Sequence, residues 1–159
     1  MIDNLNFIYP EIFISLSIMF LLLLGVFKKK SNSLVYNLSI IFLIFTLALI
    51  FNYPLQSNIN LFNGSYEINF FSSFMKILTI SSGSFVLIAS SRYLKIFKIF
   101  QIEYSILLLS SILGMMVMIS SNDLIVFYIG LELQSLSLYV LASFNRDQIK
   151  SSESGLKYF

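Results

Sequence analysis

The sequence predicts an all-α membrane protein, a polytopic bundle of five membrane-spanning helices followed by the start of a sixth. Of its 159 residues, 57% are hydrophobic and only 11% are charged, and the mean hydropathy is +0.86. A soluble domain carries about 25% charged residues, so these side chains cannot cover a water-facing surface. The composition therefore excludes a soluble enzyme, a disordered tail and a nucleic-acid-binding protein.

Five segments are long and apolar enough to cross a membrane, which takes about 20 mostly apolar residues. Inside lipid they must be helical, because their backbone N–H and C=O groups find no water there to bond. The predicted spans are residues 11–27, 34–51, 70–90, 104–120 and 124–144, within a single membrane domain covering 1–159. A sixth apolar segment begins at Gly155. In the polar connection between the second and third spans, Asn63-Gly64 predicts a turn.

The basic residues predict the orientation of the chain. The loops after the first, third and fifth spans hold eight of the ten Lys and Arg residues: Lys28, Lys29, Lys30, Arg92, Lys95, Lys98, Arg146 and Lys150. The N-terminal tail and the two remaining loops hold none, and they carry the acidic residues Asp3, Glu67 and Asp123. Because Lys and Arg accumulate on the cytoplasm-like side, we expect the N-terminus to lie on the outer side.

The chain contains no Cys and no His, which excludes disulfides, thiolate catalysis and zinc or haem ligation by His. Any redox chemistry must therefore belong to another chain, and we expect no cofactor in this one. The bias towards Ile, Phe, Asn, Lys and Tyr follows A+T-rich codons and hints at an organellar genome.

Glu132 is the strongest candidate for chemistry, because it lies in the middle of the fifth span. It follows Asp123 by nine residues, which places it about 13 Å deep in the membrane. An ionisable group there costs about 2.5 kcal/mol or more and marks a functional site by default. Tyr128, Ser135 and Tyr139 share its helix face and form a polar stripe.

This stripe suits a proton site, because moving a Lys⁺ partner towards or away from the carboxyl would change its affinity for a proton. One charge crossing about 100 mV is worth about 2.3 kcal/mol, and a swing of two to three pKa units is enough to match that. The alternative is a neutral Glu132 that hydrogen-bonds across a helix interface and never titrates.

Lys76 is the basic residue placed well inside a span, about two turns into the third helix from the outer side. It could pair with a carboxylate or line a water path. The favoured interpretation is simpler: the side chain reaches the interface, or the helix begins later than drawn.

Four stretches of the sequence resemble a known family. They are Tyr9-Pro10-Glu11-Ile12-Phe13, Leu61-Phe62-Asn63-Gly64 with the following residues 70–78, the region from Glu103 to Leu136, and Glu153 to Phe159. Together they resemble the N-terminal part of the antiporter-like subunit 2 of NADH:ubiquinone oxidoreductase, respiratory complex I, which is subunit N in bacteria. Residues 121–136 are the most specific part.

The resemblance implies a proton-translocating subunit with about fourteen helices. Glu132 matches the family's acidic residue of the fifth helix, which is thought to pair with a Lys on the seventh. The chain is then part of an enzyme only as a subunit, with flavin and iron–sulfur clusters in partner subunits. The implied location is the mitochondrial inner membrane, with the N-terminus on the intermembrane-space side.

The chain ends at Phe159, about a third of the way through the family's pattern. We therefore expect a split subunit whose remaining helices come from a companion chain, alongside other complex I membrane subunits and lipids. Two other classes stay open: a cation/proton antiporter subunit or plastid-type relative, and a structural membrane subunit without a proton role.

Overall fold

The structure is a computed structural model, and it describes residues 5–27, 32–52, 59–97, 99–145 and 148–159. Several residues used above to predict the orientation lie outside these ranges: Asp3, Lys28, Lys29, Lys30, Lys98 and Arg146.

Six α-helices make up most of the described chain, and the first five are long and apolar enough to cross a membrane. They are α1 Tyr9–Phe27, α2 Asn32–Phe51, α3 Phe70–Ile96, α4 Ile102–Ser120, α5 Leu124–Ala142 and α6 Ile149–Tyr158. The predicted all-α fold with five spans and the start of a sixth is confirmed. Helix α3 continues six residues beyond the predicted end of its span, so Arg92 and Lys95 lie in its last turns.

Helices α1 to α4 form the packed part of the bundle. Their facing sides meet in one apolar core, whose fully buried side chains include Ile14, Leu43, Leu87, Leu109 and Met116. Two of the buried hydroxyls donate to carbonyls of their own helix: Ser17 Oγ to that of Ile14 at 2.7 Å, and Thr46 Oγ1 to that of Phe42 at 2.6 Å. Helix α4 contacts all three others and also α5.

A short β-hairpin connects α2 to α3, at the end of the bundle where α1 begins. Strand β1 (Ile59–Leu61) pairs antiparallel with β2 (Tyr66–Ile68). The predicted turn is present: Asn63 has φ +57° and Gly64 φ +93°, left-handed conformations that Asn and Gly adopt most readily. The strands themselves are three residues each, too short to predict from the sequence pattern.

Helix α5 lies at the edge of the bundle. It packs mainly on α4 and less extensively on α6. Of its residues only Gly130 and Ser137 are buried, and large apolar side chains such as Ile125, Ile129 and Leu136 are more than half exposed. The helix that carries Glu132 is therefore the least covered of the five spans within the described chain.

Candidate functional site

Glu132 lies in the middle of α5, half-buried, on the polar stripe that the sequence predicts. The Tyr128 hydroxyl, one turn earlier, interacts with the Glu132 carboxyl. Ser135 Oγ instead donates to the backbone carbonyl of Glu132, at 3.2 Å. Tyr139 packs its ring edge-on against Tyr158 of α6, with the ring centroids 5.2 Å apart. The stripe therefore supplies one hydroxyl to the carboxyl and leaves room for further partners.

Glu132 has no cationic partner in the described part of the chain. The ion pairs found there are Glu11–Lys76 and Glu153–Lys157. A carboxylate at this depth is costly unless a cation or hydrogen-bond donors compensate it. The compensation that the described helices offer Glu132 is limited to Tyr128.

Close packing of α5 against α4 fixes the position of Glu132. A Cβ added to Gly114 would lie 2.7 Å from both the backbone N of Gln134 and the backbone O of Gly130. The two helix backbones therefore nearly touch, as small residues allow in membrane helix pairs. A hydrogen bond of 2.8 Å between Ser110 Oγ and Ser137 Oγ adds a polar contact across the same interface.

A second ionisable cluster lies at the end of the bundle that carries the β-hairpin, and here the structure differs from the favoured interpretation of Lys76. Helix α3 begins at Phe70, as predicted. Lys76 is only 3% exposed, so its side chain is buried rather than directed to the membrane interface. Its Nζ lies 2.6 Å from Oε1 of Glu11, which is 6% exposed. The snorkelling interpretation was wrong because a carboxylate on α1 lies within reach of the ammonium.

Tyr66 of β2 completes this cluster. Its hydroxyl donates to Glu11 Oε1 at 2.8 Å and accepts from Lys76 Nζ at 3.3 Å. Burial raises the pKa of the Tyr66 phenol well above its usual range, and the negative charge of Glu11 raises it further. The hydroxyl therefore keeps its proton and donates a hydrogen bond to the Glu11 carboxylate. Ser120 lies beside it at the end of α4.

Sequence reasoning missed Glu11 and Tyr66 as members of a site. In the sequence Glu11 indicates only the start of a helix, since acidic residues are common in the first turn of helices. Tyr66 sits in a connection between spans. One signal was available: a basic residue two turns inside a span needs an acidic partner, and Glu11 is the acidic residue at the same end of the first span. In the described ranges, no group of three or more His, Cys, Asp or Glu could hold a metal ion.

Comparison with known proteins identifies relatives along almost the whole chain. The chain is 75% identical over 157 residues to NADH-quinone oxidoreductase subunit N of Pelagibacter ubique, covering 99% of this chain and 33% of that protein. It is 45% identical to the subunit of the same name from Bartonella bacilliformis, with 99% of this chain and 32% of that protein covered. The corresponding protein of Paramagnetospirillum magneticum is 40% identical over 152 residues, covering 96% and 31%.

The chain thus spans about a third of the length of the curated relatives it matches, and the matching third is the N-terminal one. Residues 121–159 also match the family model described as NADH:quinone oxidoreductase/Mrp antiporter, transmembrane. That match contains α5 with Glu132, and α6. The resemblance inferred from the sequence motifs is confirmed.

Proposed function

Because this chain corresponds over nearly all its length to the N-terminal third of an antiporter-like NADH-quinone oxidoreductase subunit, we propose that it takes part in proton translocation in the membrane arm of such a complex. Electrons pass through other subunits, which carry the flavin and the iron–sulfur clusters. The contribution of this chain is to hold a proton-binding carboxyl inside the membrane.

The observation that carries this proposal is the position of Glu132 and the groups that surround its carboxyl. Its carboxyl lies halfway along a span, interacts with one tyrosine hydroxyl, and has no cation beside it among the described residues. A group in that position is ready to take up a proton, or to pair with a mobile cation supplied by another helix. Tyr128 supports it directly, while Ser135 and Tyr139 shape the same face.

Further helices are needed to cover α5. Its exposed apolar side chains and the length of the relatives both favour additional spans packed on the side away from α4. We propose that these spans, on the same polypeptide or on a companion chain, bring a Lys to Glu132. The partners are then the remaining helices of this subunit, the neighbouring membrane subunits of the complex, and lipids.

We propose that this chain lies in an energy-coupling membrane. The compared relatives are bacterial, which favours a bacterial cytoplasmic membrane over the mitochondrial inner membrane that the resemblance implied. The distribution of Lys and Arg supports an N-terminus on the outer side. The contacts of β2 with α1 and with the α4–α5 connection bring all three parts to one end of the bundle, as alternating spans require in either orientation.

Cation/proton exchange is a second candidate function, because the matching family model also covers the Mrp antiporters. The two functions differ in their energy source. Transport driven by NADH oxidation supports the first, while exchange driven by an ion gradient alone supports the second.

The experiment that tests the proton role replaces Glu132 by Gln in the assembled complex. We expect proton transfer through this subunit to fall by about 100-fold or more, so that fewer protons are pumped per NADH oxidised in proteoliposomes. Glu103→Gln is the control, because Glu103 is an exposed carboxyl in the first turn of α4. Unchanged pumping per NADH in Glu132→Gln would mean that this chain is a structural subunit.

A further inference from the structure

The β-hairpin connects two features that the helices keep apart: the buried Glu11–Lys76 pair and the start of α5. Tyr66 is the residue at which these connections meet. Its side chain faces the ion pair, and its backbone faces the connection between α4 and α5.

The side chain of Tyr66 is held at several points. It is 6% exposed, its hydroxyl bonds both Glu11 and Lys76, and the Lys76 ammonium lies 5.2 Å from the centre of its ring. A buried phenol with two charged hydrogen-bond partners has little freedom to move, because charge-assisted bonds are stronger than neutral ones.

The backbone on either side of Tyr66 extends the hairpin onto residues 121–122. Tyr66 forms an antiparallel bridge with Ser121, and Asn122 N–H donates to the carbonyl of Ser65 at 3.0 Å. Asn122 Nδ2 donates to the carbonyl of Gly64 at 2.9 Å. The next residue, Asp123, is the N-cap of α5 and accepts from Ile125 N–H at 3.2 Å.

An apolar contact joins the same elements. Leu61, Tyr66 and Ile68 form a small buried cluster on the hairpin, and Val126 in the first turn of α5 packs against it. The start of α5 is therefore bound to the hairpin by backbone bonds, by an amide side chain and by this apolar contact.

We propose that Tyr66 is a positioning residue, which together with Glu11 and Lys76 fixes the start of α5 and thereby the depth and rotation of Glu132. We call the contacts of Tyr66 with Glu11, Lys76 and residues 121–122 the clamp. Its effect on proton transfer rests on the proposed function, while its effect on the start of α5 follows from these contacts alone. Glu132 follows the start of α5 by about 13 Å of rigid helix, and apart from its packing on α4 and α6 the described helix is little covered. A shift at its start is therefore carried to the carboxyl, and a misplacement of about 1 Å is enough to slow a reaction strongly.

A disulfide tests the clamp independently of proton transport. The chain contains no cysteine, so Ser65→Cys with Asn122→Cys adds one defined pair within it. Asn122→Cys removes the Nδ2 bond to Gly64, but it does so both with and without Tyr66→Phe, so the comparison reports the Tyr66 hydroxyl alone. Ser65 and Asn122 lie next to the antiparallel bridge between Tyr66 and Ser121, and a backbone hydrogen bond joins them. Cα atoms of such hydrogen-bonded antiparallel pairs are about 5.5 Å apart, a separation that suits a disulfide. In the assembled complex we expect rapid closure of this pair by diamide, and about fivefold slower closure when Tyr66→Phe removes the hydroxyl.

Pumping by the same variants provides the second readout. Tyr66→Phe should lower the proton-to-NADH ratio while the complex stays assembled, and closing the disulfide should restore the ratio. The double variant Glu11→Met with Lys76→Met, which removes both charges together, should behave as Tyr66→Phe does. Tyr104→Phe at the opposite end of α4 is the control, since it keeps the ring contact with Phe144.

Equal rates of disulfide closure with and without the Tyr66→Phe substitution would overturn the proposal. So would a pumping defect that the closed disulfide fails to restore, because the hydroxyl would then act directly. Slower closure together with normal pumping in Glu132→Gln would keep the clamp and overturn the proposed function instead.

Discussion

Two carboxylates inside this bundle differ in how their charge is compensated. Glu11 has a buried ammonium at 2.6 Å and a phenol at 2.8 Å on the same oxygen, so its charge is balanced by residues of this chain. Glu132 has only the Tyr128 hydroxyl beside it in the described ranges. In the first arrangement, loss of either partner would leave an unpaired buried charge. Under the proposed function, the second arrangement leaves the Glu132 carboxyl available for a cation supplied by another helix.

The Glu11–Lys76 pair yields a prediction about assembly. Lys76→Met leaves Glu11 buried without its cation, and breaking such a pair costs about 3–5 kcal/mol. The amount of this chain recovered in the assembled complex should fall sharply, as measured by quantitative blotting of solubilised membranes. Glu11→Met combined with Lys76→Met should recover most of it. Equal recovery of the single and double variants would contradict the pairing.

At the scale of elements, the α4–α5 pair is the unit that places Glu132. The helices approach so closely at Gly114 and Gly130 that neither accepts a side chain without movement of backbone. The hydrogen bond between Ser110 and Ser137 and the hairpin contacts at residues 121–122 fix the same pair along its length. Helix α5 therefore packs closely on α4, while much of the rest of its surface is exposed.

Gly114→Ala should push α5 away from α4, because the new Cβ would meet backbone atoms at 2.7 Å. Overpacking of this kind costs about 1–3 kcal/mol, so we expect a lower thermal stability of the complex and fewer protons pumped per NADH. Gly25→Ala is the matched control. Its Cβ meets only the Ile102 side chain, at 3.1 Å, which yields more easily. Equal effects of the two substitutions would show that the close approach does not matter.

The sequence predicts the helices well and their contacts poorly. Apolar length alone identifies the five spans, and the position of Glu132 relative to Asp123 follows from helix geometry. Hydropathy does not tell which span is buried among the others, because lipid and protein interior favour the same side chains; the open side of α5 was therefore not predictable. The pairing of Glu11 with Lys76 is also invisible to local pattern, since it depends on how α1 packs near α3 and on a hairpin between them.

At the scale of the whole molecule, α1 to α4 form a closed core and α5 and α6 lie on one side of it. That side carries Glu132 and the apolar surface of α5, and it is where we propose that the remaining helices pack. Under the proposed function, this chain is one part of a larger proton-translocating assembly, with the buried Glu11–Lys76 pair at the hairpin end of the bundle and Glu132 midway along α5.

The most direct measurement is purification of the native assembly in mild detergent through a tag on this chain, followed by mass spectrometry of everything that stays attached. We predict a large complex that oxidises NADH, with flavoprotein and iron–sulfur subunits and with additional spans of the antiporter-like subunit. A small membrane complex without those subunits would contradict the proposed function.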